Sequence, residues 1–406
     1  FSFDDPAHSN SSSNEDYQGA DLNNTYGTSG ISLNTPTNKN RLWGNFFNNN
    51  AGDGLEVRSN GAIYLNSASA EQNFLKGVDL ENPASRGSVS VVNLRTDGFT
   101  SSFSENGEEG LFITTLGNVV LQNINAWGND ATGVWVDNCQ GGGPSGCTGF
   151  GGVQVLARSN HYNDISQNSD YGLYVRSFGE VLLTNILAGN NVNQGLYINN
   201  ADAVSTAGIT LAVLGDGIWN DIFENGNGGM MLYSNGNIAL NYVNAFDNVG
   251  VGADISNRES LFAAIVSITH GQFYGNEAEG LKVISKGDIV WKFGGAWEND
   301  LIGAYLSNYT SGGFGSVTVQ GSTKERMSFD ENGWDGVDKD GLFVESRGKI
   351  TLGYILANHN NGFGVQLSNE NALSNQPVSI TEIDVNMNEK SGLEVRSKGG
   401  ITLKGI

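Results

Sequence analysis

The sequence predicts an all-β fold, a right-handed parallel β-helix (β-solenoid) of about 13 coils. Three observations predict it: a twelve-residue phrase occurs seven times, a second phrase follows each of the first six copies at a constant distance, and an Asn keeps its place before both.

The first phrase reads GLEVRSNGAIYL from Gly54 and returns from Gly110, Gly172, Gly229, Gly280, Gly341 and Gly392. A large apolar residue follows the opening Gly and another stands two places on, as in Leu55 and Val57 or Leu342 and Val344. Gly61, Gly117, Gly179, Gly236, Gly287, Gly348 and Gly399 hold the eighth place, and apolar residues resume at alternate positions after it. Alternation with a period of two, broken by a Gly, reads as a strand, a sharp bend and a second strand. The Gly is expected to supply a bend that residues with a Cβ resist.

The second phrase starts 23 residues later in all six cases, at Gly77, Gly133, Gly195, Gly252, Gly303 and Gly364. Rigid 23-residue coils thus alternate with looser ones of 28–39 residues that carry the insertions. Four residues before each second phrase stands Asn73, Asn129, Asn191, Asn248, Asn299 or Asn360. Most looser coils place an Asn equivalently, at Asn50, Asn106, Asn168, Asn225, Asn276 and Asn388. An Asn stacked at one bend should form a ladder, its amide pairing turn groups that nothing else reaches. The hexapeptide signature of left-handed solenoids and the LxxLxLxxN phrase of leucine-rich repeats are both missing. Residues 18–406 are read as one solenoid domain that ends inside a coil, and 1–17 as an irregular leader or the tail of a preceding coil. Such a chain is expected to be a window of a longer array or a subunit stacking end to end.

Composition narrows the function classes. The 406 residues include 52 Asn and 57 Gly, and 43 acidic against 21 basic residues give a net charge of −22. That charge opposes nucleic acid and anionic membrane surfaces. No run of 18 apolar residues is present, so no helix is expected to span a membrane.

The phrase GLxVxSxGxIxLxxIxAxxNxxxG resembles the repeat of very large secreted right-handed β-helix proteins of bacterial surfaces, over roughly residues 18–406. The resemblance implies adhesion, sheath or filament building, and only sometimes polysaccharide processing.

The residues themselves offer few candidates for chemistry. Pectin-cleaving β-helices cluster Asp with a His and a basic residue, or bind calcium through Asp beside a basic residue. Here the one Asp-Asp pair is Asp4-Asp5, and His8, His161, His270 and His359 are scattered over different repeats. No catalytic residue is assigned, and the chain is expected not to be an enzyme. Cys139 and Cys147, eight residues apart in a Gly-rich stretch, are expected to form a disulfide rather than remain free thiols; a disulfide suits an extracellular or cell-surface setting. Asp330, Asp335, Asp338 and Asp340 share one insertion, with oxygen ligands suited to calcium, although without EF-hand spacing or a GGxGxD run solvated acidic turns are the better account. No cofactor is required.

Outward positions of the first phrase carry cations and aromatics: Arg58, Phe112, Tyr174, Arg176, Tyr233, Lys282, Phe343, Arg347 and Arg396. This strip is a candidate interaction face for copies of the same chain or for cell-surface or matrix glycans, or else an ordinary solvated sheet face. The expected function is a non-catalytic structural protein of an extracellular filament, sheath or adhesin. The alternative is a carbohydrate-binding or polysaccharide-cleaving β-helix.

Overall fold

The computed structural model describes residues 18–34, 44–82, 87–93, 100–139, 147, 149–201, 206–310, 312–313, 315–334 and 339–406. The chain divides into two compact units, 1–192 and 193–406. Each is a right-handed parallel β-solenoid, and no helix occurs among the described residues.

In unit 1–192 the first sheet runs Ala20–Asn24, Leu55–Ser59, Val78–Asn82, Leu111–Thr115, Val134–Asp137 and Leu173–Arg176. Each strand pairs in parallel with the next, so Leu55, Val78, Leu111, Val134 and Leu173 stack in one column, all buried. In unit 193–406 the same sheet runs from Leu196–Asn199 through Met230–Tyr233, Ala253–Ser256, Leu281–Ile284, Ala304–Ser307, Leu342–Glu345 and Val365–Ser368 to Leu393–Arg396. Alternate side chains point inward because strand geometry has a period of two, and parallel pairing stacks each on its equivalent in the next coil.

Where no insertion interrupts the second sheet, it bends at a single residue, and that residue is left-handed. Ser67 and Asn123 in the first unit, and Tyr242, His270 and Phe293 in the second, have φ between 51° and 62°. Inward residues on both sides of the bend, such as Leu240 and Val243, stay buried.

The eighth-place Gly stands at the expected bend, but not through a left-handed dihedral. None of these seven glycines has positive φ. A Cβ on Gly61, Gly236 or Gly348 would instead lie 2.3–2.4 Å from backbone of the coil before. The requirement for Gly is close approach between coils, not a special dihedral.

The Asn ladder is present, and within each unit the two series that were read form one ladder. Asn50, Asn73, Asn106, Asn129, Asn168 and Asn191 follow one another in unit 1–192. Each backbone N–H and each Nδ2 donates to the Oδ1 of the next at 2.8–3.1 Å. Asn225, Asn248, Asn276, Asn299, Asn332, Asn360 and Asn388 repeat the pattern in unit 193–406 at 2.9–3.2 Å. The second amide hydrogen reaches a carbonyl of the coil before, as from Asn106 to Ala70 and from Asn332 to Ala296, each at 3.1 Å. Asn332 eluded the spacing because an insertion separates it from Gly341.

A second polar series closes the far end of the first sheet. Hydroxyl oxygens of Ser59, Thr115, Ser234 and Ser346 accept from the N–H of the eighth-place Gly at 3.0–3.1 Å. Asn82, Asn138 and Asn369 on the intervening coils donate to the carbonyls of Gly61, Gly117 and Gly348 at 2.8–3.3 Å.

Candidate functional site

Outward side chains of the first sheet form two rows, from the second and fourth residues after each opening Gly. In unit 1–192 the first row holds three rings in succession. Phe112 and Trp135 have centroids 6.2 Å apart, and Trp135 and Tyr174 3.9 Å apart at an interplanar angle of 12°. Cations here are matched locally: Arg58 donates to Glu81 at 2.9 Å and pairs with Glu56, and Arg176 lies 3.9 Å from Asp137. Before the rings, Asp79 is buried, with Lys76 Nζ 3.0 Å from its Oδ2. Burial pushes the Asp79 carboxyl up to about 6.

Unit 193–406 differs at Tyr233. In the fourth-residue row Tyr233 is followed in register by Ser256 and then Ile284. A ring followed by a hydroxymethyl leaves a step, and a cavity of about 430 Å³ opens there. Its lining includes Tyr233, Asp254, Ser256, Arg258, Glu259 and Lys282. Lys282 and Asp254 face each other from adjacent rungs, Nζ to Oδ2 at 3.2 Å. Arg258 follows Asn257 at the strand end, where its N–H donates to Ser256 Oγ at 3.4 Å, and its guanidinium meets Glu259 at 3.1 Å. Tyr233 stands edge-on to Tyr197 at 6.1 Å. Burial, then the charge of Asp254, pushes its phenol up to about 12, so it stays protonated at neutral pH. One concave site thus gathers an acid that holds its proton, two carboxylates and two cations.

Of the nine strip residues, the fold brings Tyr233 and Lys282 into this site and distributes the others. Phe343 lies against Tyr305 at 5.3 Å, Arg347 sits 4.8 Å over the ring of Tyr309, and Arg396 pairs with Glu394 at 3.0 Å. Cys139 and Cys147 are joined as a disulfide. Of the four candidate calcium ligands, Asp335 and Asp338 lie outside the described residues. Asp330 Oδ1 accepts from the Asn358 N–H at 2.7 Å, and Asp340 Oδ1 from the Phe363 N–H at 2.9 Å. Among the described residues no group of three or more His, Cys, Asp or Glu is placed to hold a metal ion. Sequence reasoning missed Asp254 and Arg258. Their signal was present in GADISNRES, whose Asp falls one coil before Lys282 at the same place in the phrase.

No family model matches the chain, and no curated protein matches it in sequence. Two solved structures share its fold. The A-module of the Azotobacter vinelandii mannuronan C-5 epimerase AlgE4 is 10% identical and that of AlgE6 is 12% identical, each with a TM-score of 0.50. Both superpositions cover 85% of this chain and 91% of the module. The likeness is one of fold. It corrects two expectations: the non-catalytic filament, sheath or adhesin, and the chain that is not an enzyme. Both rested on reading a long solenoid as a structural element, and here the same architecture belongs to enzymes that act on a polysaccharide.

Proposed function

We propose that the chain is a polysaccharide-modifying protein whose reaction centre is the first-sheet groove of unit 193–406. The observation that carries the reading is the convergence of Tyr233, Asp254, Arg258 and Lys282 on one cavity of about 430 Å³. The two solved structures support it by placing mannuronan C-5 epimerisation on the same fold. Arg258 and Lys282 would hold an anionic group of the sugar and make the hydrogen on the neighbouring carbon more acidic by stabilising negative charge. Asp254 is the candidate proton acceptor and Tyr233 the candidate donor. Removing and returning a proton at that carbon is the chemistry of epimerisation; expelling the glycosidic oxygen instead is elimination. Both need this set of groups.

The test is incubation of the full chain with mannuronan and other uronate polymers, with epimers read by proton NMR and eliminated ends by ultraviolet absorbance. Tyr233→Phe and Lys282→Met should each lower turnover by about 100-fold or more with unchanged thermal unfolding. A Tyr233→Phe variant as active as the parent, or a parent chain inert on every polymer, would overturn the reading. An extracellular setting belongs to the same proposal, supported by the Cys139–Cys147 disulfide.

A further inference from the structure

A second concave site in unit 193–406 lies outside the groove. It measures about 330 Å³ and is lined by Glu331, Asn332, Gly333, Trp334, His359 and Asn361. It sits at the turn that carries the Asn ladder. The turn is well fixed: the Gly333 N–H donates to Asn299 O at 2.8 Å, and the Asn361 N–H to Asn332 O at 3.0 Å.

On this base Trp334 stands with 68% of its surface exposed. Its indole Nε1 donates to Glu331 O at 3.0 Å, which orients the ring without covering it. Three other tryptophans are used differently. Trp291 is fully buried, whereas Trp135 and Trp297 stack on neighbouring rings. An indole that has satisfied its one polar atom and still leaves its rings in water gains nothing for folding. Beside it stand His359, Asn361 and Glu331; the Asn361 amide nitrogen donates to Gly333 O, and its side-chain oxygen is an acceptor at the margin. A flat apolar surface with polar groups at its margin suits a sugar ring, whose C–H face packs on the indole while its hydroxyls reach the margin.

The register links this site to the groove. From Lys282 the same outward row continues to Tyr305 and then Phe343. Phe343 belongs to the coil whose ladder turn carries Trp334. Two rungs at ~4.8 Å each separate the coils of Lys282 and Trp334 by roughly 10 Å along the stack. That is the axial part of the distance an extended glycan would have to cross.

We infer that Trp334, with His359 and Asn361, forms a distal glycan subsite for the polysaccharide chain that reacts in the groove. This rests on the proposed function, and it adds one property. Short oligomers fill the groove alone, whereas longer ones engage both sites and gain affinity from the linkage.

Titration calorimetry of the full chain tests it, with mannuronan trimer and nonamer as probes and neutral β-1,4-glucan oligomers of the same lengths alongside. Trp334→Ala should weaken nonamer binding about tenfold and leave trimer binding unchanged. An unchanged thermal midpoint would show that the exposed ring contributes little to folding. Parent and variant binding the nonamer equally, or a variant that loses trimer and nonamer alike, would overturn the subsite and leave the groove standing. A parent chain that binds none of these oligomers would overturn the groove reading and the subsite with it.

Discussion

Two outward rows of unit 193–406 use aromatic side chains in opposite ways. On the second sheet Phe223, Phe246, Tyr274 and Trp297 stack at 5.3, 5.1 and 4.9 Å, with interplanar angles of 11°, 4° and 3°. On the first sheet Tyr233 is followed by Ser256, and its row opens into the cavity beside Lys282 and Asp254. In-register parallel pairing brings equivalent side chains to about ring-stacking distance. A ring repeated on successive rungs therefore binds its own neighbours and presents only edges to the solvent. Recognition becomes available where the repetition fails.

The sharpest way to break this comparison is to restore the repetition. Ser256→Tyr should lay a second ring on Tyr233 and fill the step. Turnover on a uronate polymer should then fall by about 100-fold, equivalent to about 2.7 kcal/mol in the barrier, with no loss in urea midpoint. Retained turnover would mean that the step is not the reaction centre.

An effect of similar size, on stability rather than turnover, belongs to the ladder that holds both rows in register. Asn299→Ala removes the acceptor of the Asn276 N–H and Nδ2. Two buried donors would be left unpaired, and stability should drop by about 3 kcal/mol or more. Urea unfolding followed by circular dichroism measures it, and a change below about 1 kcal/mol would show that water replaces the amide.

The two units also differ in how first-sheet charge is handled, and Asp79 sharpens that difference. Its folded pKa, about 6, lies above the unfolded value of 3.8. The folded state therefore holds the proton more tightly. Its contribution is fully present below about pH 3.8 and is lost as pH rises through about 6. The loss amounts to about 3 kcal/mol by pH 7. Asp79→Asn should flatten this part of the stability profile, and a profile with the same slope would place the titration elsewhere.

The smallest effect belongs to the stack. Tyr274→Ala should lower stability by about 2 kcal/mol because its ring is half-buried, and it should leave turnover unchanged. A loss of activity without destabilisation would mean that the stack is a binding surface after all.

Much of the fold was legible in the sequence. A solenoid repeats its local rule, so Leu55, Val78 and Leu111 announce the core by position alone, and the Asn of each bend announces the ladder. Asn332 was hidden only because an insertion moved it away from its Gly. The eighth-place Gly was legible as a bend that resists a Cβ, but the backbone that excludes the Cβ belongs to another coil and was not legible.

The groove was half legible. Tyr233 and Lys282 fall on the phrase that recurs most faithfully, whereas Asp254 and Arg258 fall on the weaker one. What makes the four a site is a contrast between consecutive rungs, Tyr233 above Ser256 and Lys282 against Asp254. The sequence by itself determined the coil, its inward and outward faces and the ladder, because these follow from a period of two and a repeated bend. Only the tertiary structure decided which outward residues are spent on one another and which face an opening, because that depends on the register between coils separated by insertions of unequal length.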